Sequence, residues 1–222
     1  MNTASLTTPA AGGDAPALRV DHPGPRTRRL AQRLARTEPP AGLSLGLTPH
    51  GLFVESASGA VITDVDGNRF LDFVAGFGSV NAGHSHPRIA EAVAKQARTA
   101  AQAMSFGSPV RVELAERLLA QLPDPDDYRV LFAASGSEAV EMALKLARRA
   151  TQRDQVVAFS GAFHGRTQGA LALMGRWSQR QDLPQTTPGA YHVPYPYPLR
   201  SPWGPDPKET TDHTLRFLQT CL

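Results

Sequence analysis

The sequence predicts an α/β protein with a mainly parallel sheet, and three observations point to it. Helix-forming stretches alternate with short apolar runs between residues 87 and 161. The apolar run at 130–134 ends in a small polar triplet and then changes to strong helix formers from Glu138. A second apolar run, 155–159, ends two residues before Gly161. Because ligands bind at the carboxyl ends of parallel strands, the loops after both runs are candidate sites.

Composition and charge exclude several classes of protein. The 222 residues contain no apolar run of the roughly 18 residues that a membrane span needs. The single cysteine excludes an internal disulfide framework and fits a reducing compartment, so we expect a cytoplasmic protein. The net charge of +3 is local, since removing five arginines between residues 26 and 36 leaves −2 for the rest. We therefore expect neither a nucleic-acid nor a membrane partner.

The N-terminal region begins with a lead that we expect to be disordered. Residues 1–25 are rich in Ala, Thr, Pro and Gly and contain few large apolar side chains. From Arg26 to Arg36, Leu30 and Leu34 form a narrow apolar stripe among arginines. This pattern favours an exposed helix lying on the body, with a membrane-surface or targeting helix as the alternative.

A hairpin and a glycine-rich loop follow. Two β-prone runs within residues 54–74 flank Asp66-Gly67-Asn68, which is typical of a hairpin turn. Residues 76–87 then contain three glycines and two histidines, His84 and His86, a pattern that indicates a loop with unusual backbone angles. The sequence places no acidic or Cys partner with the histidines, so a structural or turn-forming role is favoured over metal binding.

Three helices are predicted in the middle of the chain. The first runs from Pro87 to about Ala101, the second follows Pro109 and ends before Pro123, and the third follows Ser135-Gly136-Ser137. Glu141 and Lys145 lie on that third helix at the spacing of an ion pair. The two serines at its start indicate either plain helix capping or a site for an anion such as phosphate.

The C-terminal third has a looser pattern. Residues 188–207 hold seven prolines among three tyrosines and a tryptophan. This composition favours a surface loop with its aromatics packed on the sheet, and a polyproline ligand is the alternative. Leu215, Leu218 and Leu222 then recur at helical spacing, and we expect the chain to end inside that element.

Four stretches together resemble a known family. Their order and spacing over residues 50–205 are similar to the N-terminal half of class III (subgroup III) aminotransferases, pyridoxal-phosphate enzymes of fold type I that include 4-aminobutyrate and ornithine aminotransferases. The matching stretches are Phe70-Leu71-Asp72-Phe73-Val74-Ala75-Gly76, Gly83-His84-Ser85-His86-Pro87, Ser135-Gly136-Ser137-Glu138-Ala139-Val140-Glu141 and Gly161-Ala162-Phe163-His164-Gly165-Arg166-Thr167.

The resemblance implies a cofactor, pyridoxal 5′-phosphate, and roles for particular residues. Ser135, Gly136 and Ser137 correspond to the loop that holds the cofactor phosphate. Phe163 corresponds to the aromatic residue that stacks on the pyridine ring, with His164 and Gly165 in the same loop. Phe77 and Val80 correspond to a region near the substrate. The implied substrates are an ω-amino acid or similar amine and a 2-oxo acid, and the implied assembly is a homodimer.

The resemblance also implies that part of the site is missing. The chain has three lysines, Lys95, Lys145 and Lys208, and none corresponds to the family's Schiff-base lysine. The acid that protonates the pyridine nitrogen has no counterpart either, so no catalytic residue is assigned. We expect residues 26–104 to form an N-terminal segment and 105–222 the first half of a truncated cofactor-binding domain. Two hypotheses follow: an N-terminal fragment that is inactive without a complementing C-terminal half, or a non-catalytic remnant.

Overall fold

The computed structural model describes residues 15–38, 51–103, 105–176 and 190–221. The chain divides into two compact units, Met1–Gly107 and Ser108–Leu222. The first unit contains an antiparallel meander and the second contains a parallel strand pair with helices. The α/β class with a parallel sheet is therefore confirmed. No helix in the described part of the chain is long and apolar enough to cross a membrane.

The described part of the first unit is built from a three-stranded sheet and two helices. Its strands pair antiparallel in the order β1-β2-β3, so β2 is central. The hairpin expected around Asp66 joins β2 to β3, and Gly67 at its turn has a φ of +84° that favours glycine. The elements are α1 (Pro25–Thr37), β1 (Val54–Ser58), β2 (Val61–Asp64), β3 (Arg69–Leu71) and α2 (Pro87–Ala100).

Residues 15–24 differ from the expected disordered lead. The backbone of Ala17 exchanges two hydrogen bonds with Arg69, of 2.9 and 2.7 Å. The side-chain oxygen of buried Asn68 accepts from the N–H groups of Arg19 and Val20 at 2.8 and 3.0 Å. Polar contacts to the hairpin thus order this segment despite its few apolar side chains. Residues 1–14 lie outside the described residues.

Helix α1 begins on the same hairpin turn. The carboxylate of Asp66 accepts from the N–H groups of Arg26 and Thr27, both at 2.8 Å. Desolvation raises the pKa of Asp66, but the hydrogen bonds from Thr27 and Arg26 outweigh it and leave that pKa below its ordinary value. Leu30 and Leu34 are half-buried, as expected for an amphipathic helix that lies on the body.

The second unit surrounds a short parallel ladder. Strands β4 and β5 pair in parallel, with Phe159 opposite Val193 at one end. Leu144, Ala158 and Leu173 form the buried cluster beneath this ladder. The elements are α3 (Pro109–Leu119), α4 (Gly136–Thr151), β4 (Val156–Phe159), α5 (Gln168–Ala172), β5 (Ala190–Val193) and α6 (Pro207–Cys221), with two single 3₁₀ turns at Pro125–Asp127 and Pro198–Arg200.

Two local predictions in this unit need correction. The apolar run 130–134 forms no strand, because no described residue supplies a ladder partner for its backbone. Part of the proline-rich stretch forms β5 rather than a loop. The Tyr195 ring does pack on the sheet, edge-on to Phe159 at 5.4 Å between centroids. Residues 188 and 189 and Leu222 lie outside the described residues.

Candidate functional site

The N-terminus of α4 is capped by the serine that precedes it. Ser135 Oγ accepts a hydrogen bond from the N–H of Glu138 at 3.2 Å. The Glu138 carboxylate accepts in turn from the N–H of Ala134 at 2.5 Å. This exchange is close to a capping box, so the capping alternative holds for Ser135. The N–H groups of Gly136 and Ser137 are the first two of the helix and have no acceptor within it.

The loop after β4 is fixed by a short backbone network. Ser160 donates its N–H to the carbonyl of Val193 at 2.8 Å, which extends the β4–β5 pairing. Gly161 donates to the carbonyl of Gly175 at 3.1 Å, and Gly175 donates back to Ala162 at 2.9 Å. A Cβ at Gly175 would lie 2.5 Å from the Ala162 nitrogen and would overlap the Phe159 carbonyl. Only glycine fits this contact, and sequence reasoning did not identify it.

The structure brings the start of α4 and this loop together. Ser137 Oγ accepts a hydrogen bond from the N–H of Arg166 at 3.3 Å, across 29 residues of sequence. Gly165 is buried, with a φ of +129°, and a Cβ there would lie 2.8 Å from the Ser137 Cβ and overlap its hydroxyl. Phe163 is 58% exposed and His164 is half-buried. An aromatic face is therefore available within three residues of a contact to the helix N-terminus.

A second side chain of α4 contacts the segment after this loop. The Glu141 carboxylate accepts from the N–H groups of Gly169 and Ala170 at 2.8 and 3.2 Å. The hydrogen bond from the Thr167 hydroxyl is the largest of the effects that lower the pKa of Glu141, ahead of the opposing desolvation. Glu141 therefore binds the start of α5, which corrects the expected pairing with Lys145.

The Gly-His loop lies in the first unit and contains the two candidate substrate residues. Phe77 is 86% exposed with a φ of +56°, and Val80 is half-buried. His84 Nε2 lies 2.6 Å from the Asp72 carboxylate, so this histidine does have an acidic partner. That hydrogen bond, followed by those from the Val74 and Ala75 N–H groups, lowers the pKa of Asp72. Among the described residues no cluster of three or more His, Cys, Asp or Glu is placed to hold a metal ion.

Groups that suit a phosphate and a flat ring lie at the start of α4 and in the Phe163 loop. Two helix N-terminal N–H groups, from Gly136 and Ser137, favour a phosphate dianion. A Cβ built on Gly136 meets no atom within 4 Å, so space is open beside its backbone. The exposed ring of Phe163 offers a flat apolar face. These features fit the phosphate and ring of pyridoxal 5′-phosphate, while Lys95, Lys145 and Lys208 are all exposed.

The comparisons with known proteins agree with this geometry. The family model for class III aminotransferases matches residues 45–220, which is most of the chain. The protein therefore belongs to the class III aminotransferase family.

Individual relatives within the family have different activities. A diaminobutyrate–2-oxoglutarate aminotransferase from Rhizobium meliloti is 36% identical over 76% of this chain and 37% of its own length. An alanine/serine racemase from Pyrococcus horikoshii is 33% identical over 92% of this chain and 44% of its own length. The chain thus spans less than half the length of these relatives.

A solved structure shows the same fold. An amine transaminase from an uncultivated Pseudomonas species, in its PLP-bound form, superposes with a TM-score of 0.72 at 31% sequence identity. The match covers 82% of this chain and 44% of the transaminase. The likeness to part of a fold type I transaminase is therefore confirmed.

Proposed function

We propose that these residues form the phosphate-binding and ring-stacking part of a class III aminotransferase whose cofactor is pyridoxal 5′-phosphate. The observation that carries the proposal is the hydrogen bond from Arg166 to Ser137 Oγ, which holds the Phe163 loop at the N-terminus of α4. Family membership and the PLP-bound neighbour support the cofactor.

Each residue has a proposed role in holding the cofactor. The N–H groups of Gly136 and Ser137, with the Ser137 hydroxyl, bind the phosphate, and the helix dipole favours its charge. Ser135 contributes less, because its oxygen already accepts from Glu138. Phe163 stacks on the pyridine ring, and Gly165 and His164 shape the loop that carries it. When bound, the cofactor supplies an electron sink for chemistry at the substrate Cα.

Amino group transfer from an ω-amino acid or similar amine to a 2-oxo acid is the proposed reaction of the whole enzyme. The diaminobutyrate–2-oxoglutarate aminotransferase supports this assignment. Phe77 and Val80 are the proposed substrate contacts, since Phe77 is exposed and Val80 is only half-buried. A homodimer is the proposed assembly, and the single cysteine supports a cytoplasmic location.

None of the three lysines is proposed to bond covalently to the cofactor. Each lysine is exposed, and none corresponds to the Schiff-base lysine that the family resemblance implies. We therefore propose that residues 1–222 bind the cofactor without turnover and that the lysine comes from a part of the enzyme outside these residues. The alternative is a remnant that binds a partner without catalysis.

Binding of pyridoxine 5′-phosphate tests the proposal, since this probe has the phosphate and ring but no aldehyde to react with lysines. Calorimetry on the purified chain should show binding that pyridoxine without phosphate does not reproduce. Ser137→Asp adds a negative charge at the second helical position and should weaken binding at least tenfold, or about 1.4 kcal/mol. Ser108→Asp adds the same charge before α3 and should leave binding unchanged.

The proposal that none of the three lysines bonds covalently to the cofactor has its own test. Pyridoxal 5′-phosphate is added to the chain, reduced with borohydride, and the modified lysines are mapped by mass spectrometry. Scattered, substoichiometric labelling of exposed lysines is expected. A stoichiometric adduct at one lysine would overturn the assignment, and amino transfer by the isolated chain would overturn the predicted lack of turnover.

A further inference from the structure

Two side chains of α4 that lie one helical turn apart contact the segment that follows β4. Ser137 and Glu141 are four residues apart and so lie on the same face of the helix. Ser137 accepts the N–H of Arg166, and Glu141 accepts the N–H groups of Gly169 and Ala170. Ser137 and Glu141 are four residues apart, and their partners Arg166 and Gly169 are three residues apart. Helix α4 therefore holds this segment at two points.

We propose that Glu141 is a positioning residue that fixes the Phe163 loop against the N-terminus of α4 and thereby sets the affinity for the cofactor phosphate. The inference rests on the proposed function and extends it to a residue that does not contact the cofactor. Glu141 acts through α5, whose start it binds, and the loop of Phe163 to Gly165 leads directly into that start.

The N-terminus of α5 depends on Glu141 for its cap. Thr167 occupies the N-cap position but makes no side-chain cap hydrogen bond to the helix, and its hydroxyl bonds to Glu141 instead. Gly169 and Ala170 are both buried, and Ala170 is fully so. A buried N–H without an acceptor loses its hydration and gains nothing in return. Removing the carboxylate would therefore release the start of α5.

Position 169 has no room for a side chain while the Glu141 carboxylate keeps its place. A Cβ at Gly169 would lie 2.9 Å from the Glu141 carboxyl carbon and overlap one of its oxygens. Gly169→Ala should displace the carboxylate from the other side of the contact. This variant is otherwise favoured, because alanine stabilises a helix relative to glycine. Gly169→Ala is thus an independent way to disturb the same contact without altering Glu141.

The test combines amide exchange with binding of pyridoxine 5′-phosphate to the purified chain. In Glu141→Ala, the Gly169 and Ala170 amides should exchange faster, and the dissociation constant should rise about tenfold, the scale of hydrogen bonds to a charged acceptor. Glu141→Gln keeps an oxygen that accepts both N–H groups and should restore affinity to within roughly threefold. Glu116→Ala, at an exposed glutamate of α3, should change neither measurement.

A double variant makes the test independent of general destabilisation. Gly169→Ala should weaken binding in the wild-type background but cost nothing further in Glu141→Ala, because the clashing carboxylate is gone. Additive losses would overturn the proposal, as would unchanged exchange or affinity in Glu141→Ala. If the wild-type chain does not bind the probe, the proposed function fails. Amide exchange alone then decides whether Glu141 holds α5.

Discussion

The carboxylate of Asp72 lies 2.6 Å from Nε2 of His84 and joins the end of β3 to the far side of the Gly-His loop. The same carboxylate accepts from the N–H groups of Val74 and Ala75 at 2.8 and 2.9 Å. The backbone of His84 also pairs with Gly59, at 2.9 and 3.0 Å. Asp72 therefore closes the strained loop that contains Phe77.

Substitution of Asp72 should change how stability depends on pH. Its pKa is lowered by His84 first, so the folded state favours the carboxylate. The stabilisation is complete above the ordinary pKa of 3.8 and is lost as pH falls through the lower folded value. Urea unfolding should show Asp72→Asn less stable than wild type at neutral pH, with the difference shrinking below about pH 4.

A second variant identifies the cause of this pH dependence. His84→Ala removes the largest contributor to the lowered pKa and should flatten the acid limb of the wild-type profile. The Asp72→Asn prediction fails if its deficit stays constant from neutral pH to about pH 3.

Substitution of Ser135 should separate capping from phosphate binding. Ser135→Ala removes the acceptor for the Glu138 N–H and should lower the free energy of unfolding by about 1 kcal/mol. Ser135→Asn retains a capping oxygen and should restore most of that stability. Denaturant titration measures the stability and calorimetry with pyridoxine 5′-phosphate measures the binding. A loss of affinity in Ser135→Asn comparable to that in Ser137→Asp would contradict the minor role assigned to Ser135.

The sequence predicted those features whose signal is local. The helix start at Ser135 follows from a capping residue, a Glu three positions later and a change to helix formers, all within a few residues. The Asp66 turn is likewise fixed by its own residues, since Asp64 and Asn68 bond within it. Such features depend little on distant partners.

The contacts that assemble the site were not predicted, because their partners are distant in sequence. Glu141 has Lys145 at ideal helical spacing, yet it bonds to N–H groups 28 and 29 residues away. The apolar run at 130–134 shows the converse, since a strand requires a ladder partner that local composition does not specify. The placement of both loops after apolar runs of a predicted parallel sheet, together with the order of the family motifs, indicated that Ser137 and Gly165 belong to one site.

Substitution of Gln152 should stabilise the second unit. Gln152 ends α4 in the left-handed region, with φ 56° and ψ 30°, and donates its N–H to the Arg148 carbonyl. Glycine adopts this conformation without a Cβ penalty, so Gln152→Gly should raise the free energy of unfolding by roughly 0.5–1 kcal/mol. Gln152→Ala loses the same side chain but retains the penalty, and it should not stabilise. Equal denaturation midpoints for the two variants would count against the argument.

Substitution of Gly165 should abolish cofactor binding by separating the two segments of the site. Alanine at φ +129° is strained, and its Cβ would overlap the Ser137 hydroxyl. The Gly165→Ala chain must move Ser137 or the loop, so it should lose about 1–3 kcal/mol of stability and all measurable affinity for pyridoxine 5′-phosphate. Gly107→Ala is the matched control, because its Cβ would meet nothing within 4 Å.

A double variant separates the overlap with the Ser137 hydroxyl from the other causes of the lost stability. Removing the Ser137 hydroxyl in the double variant Ser137→Ala/Gly165→Ala relieves the overlap with Oγ. It relieves neither the 2.8 Å approach to the Cβ of residue 137 nor the strain at φ +129°. The double variant should therefore recover part of the stability of Gly165→Ala, measured by thermal unfolding, while its affinity stays low. Full affinity in Gly165→Ala alone would show that phosphate binding does not require Gly165 against Ser137, and the site would have to be placed elsewhere in the second unit.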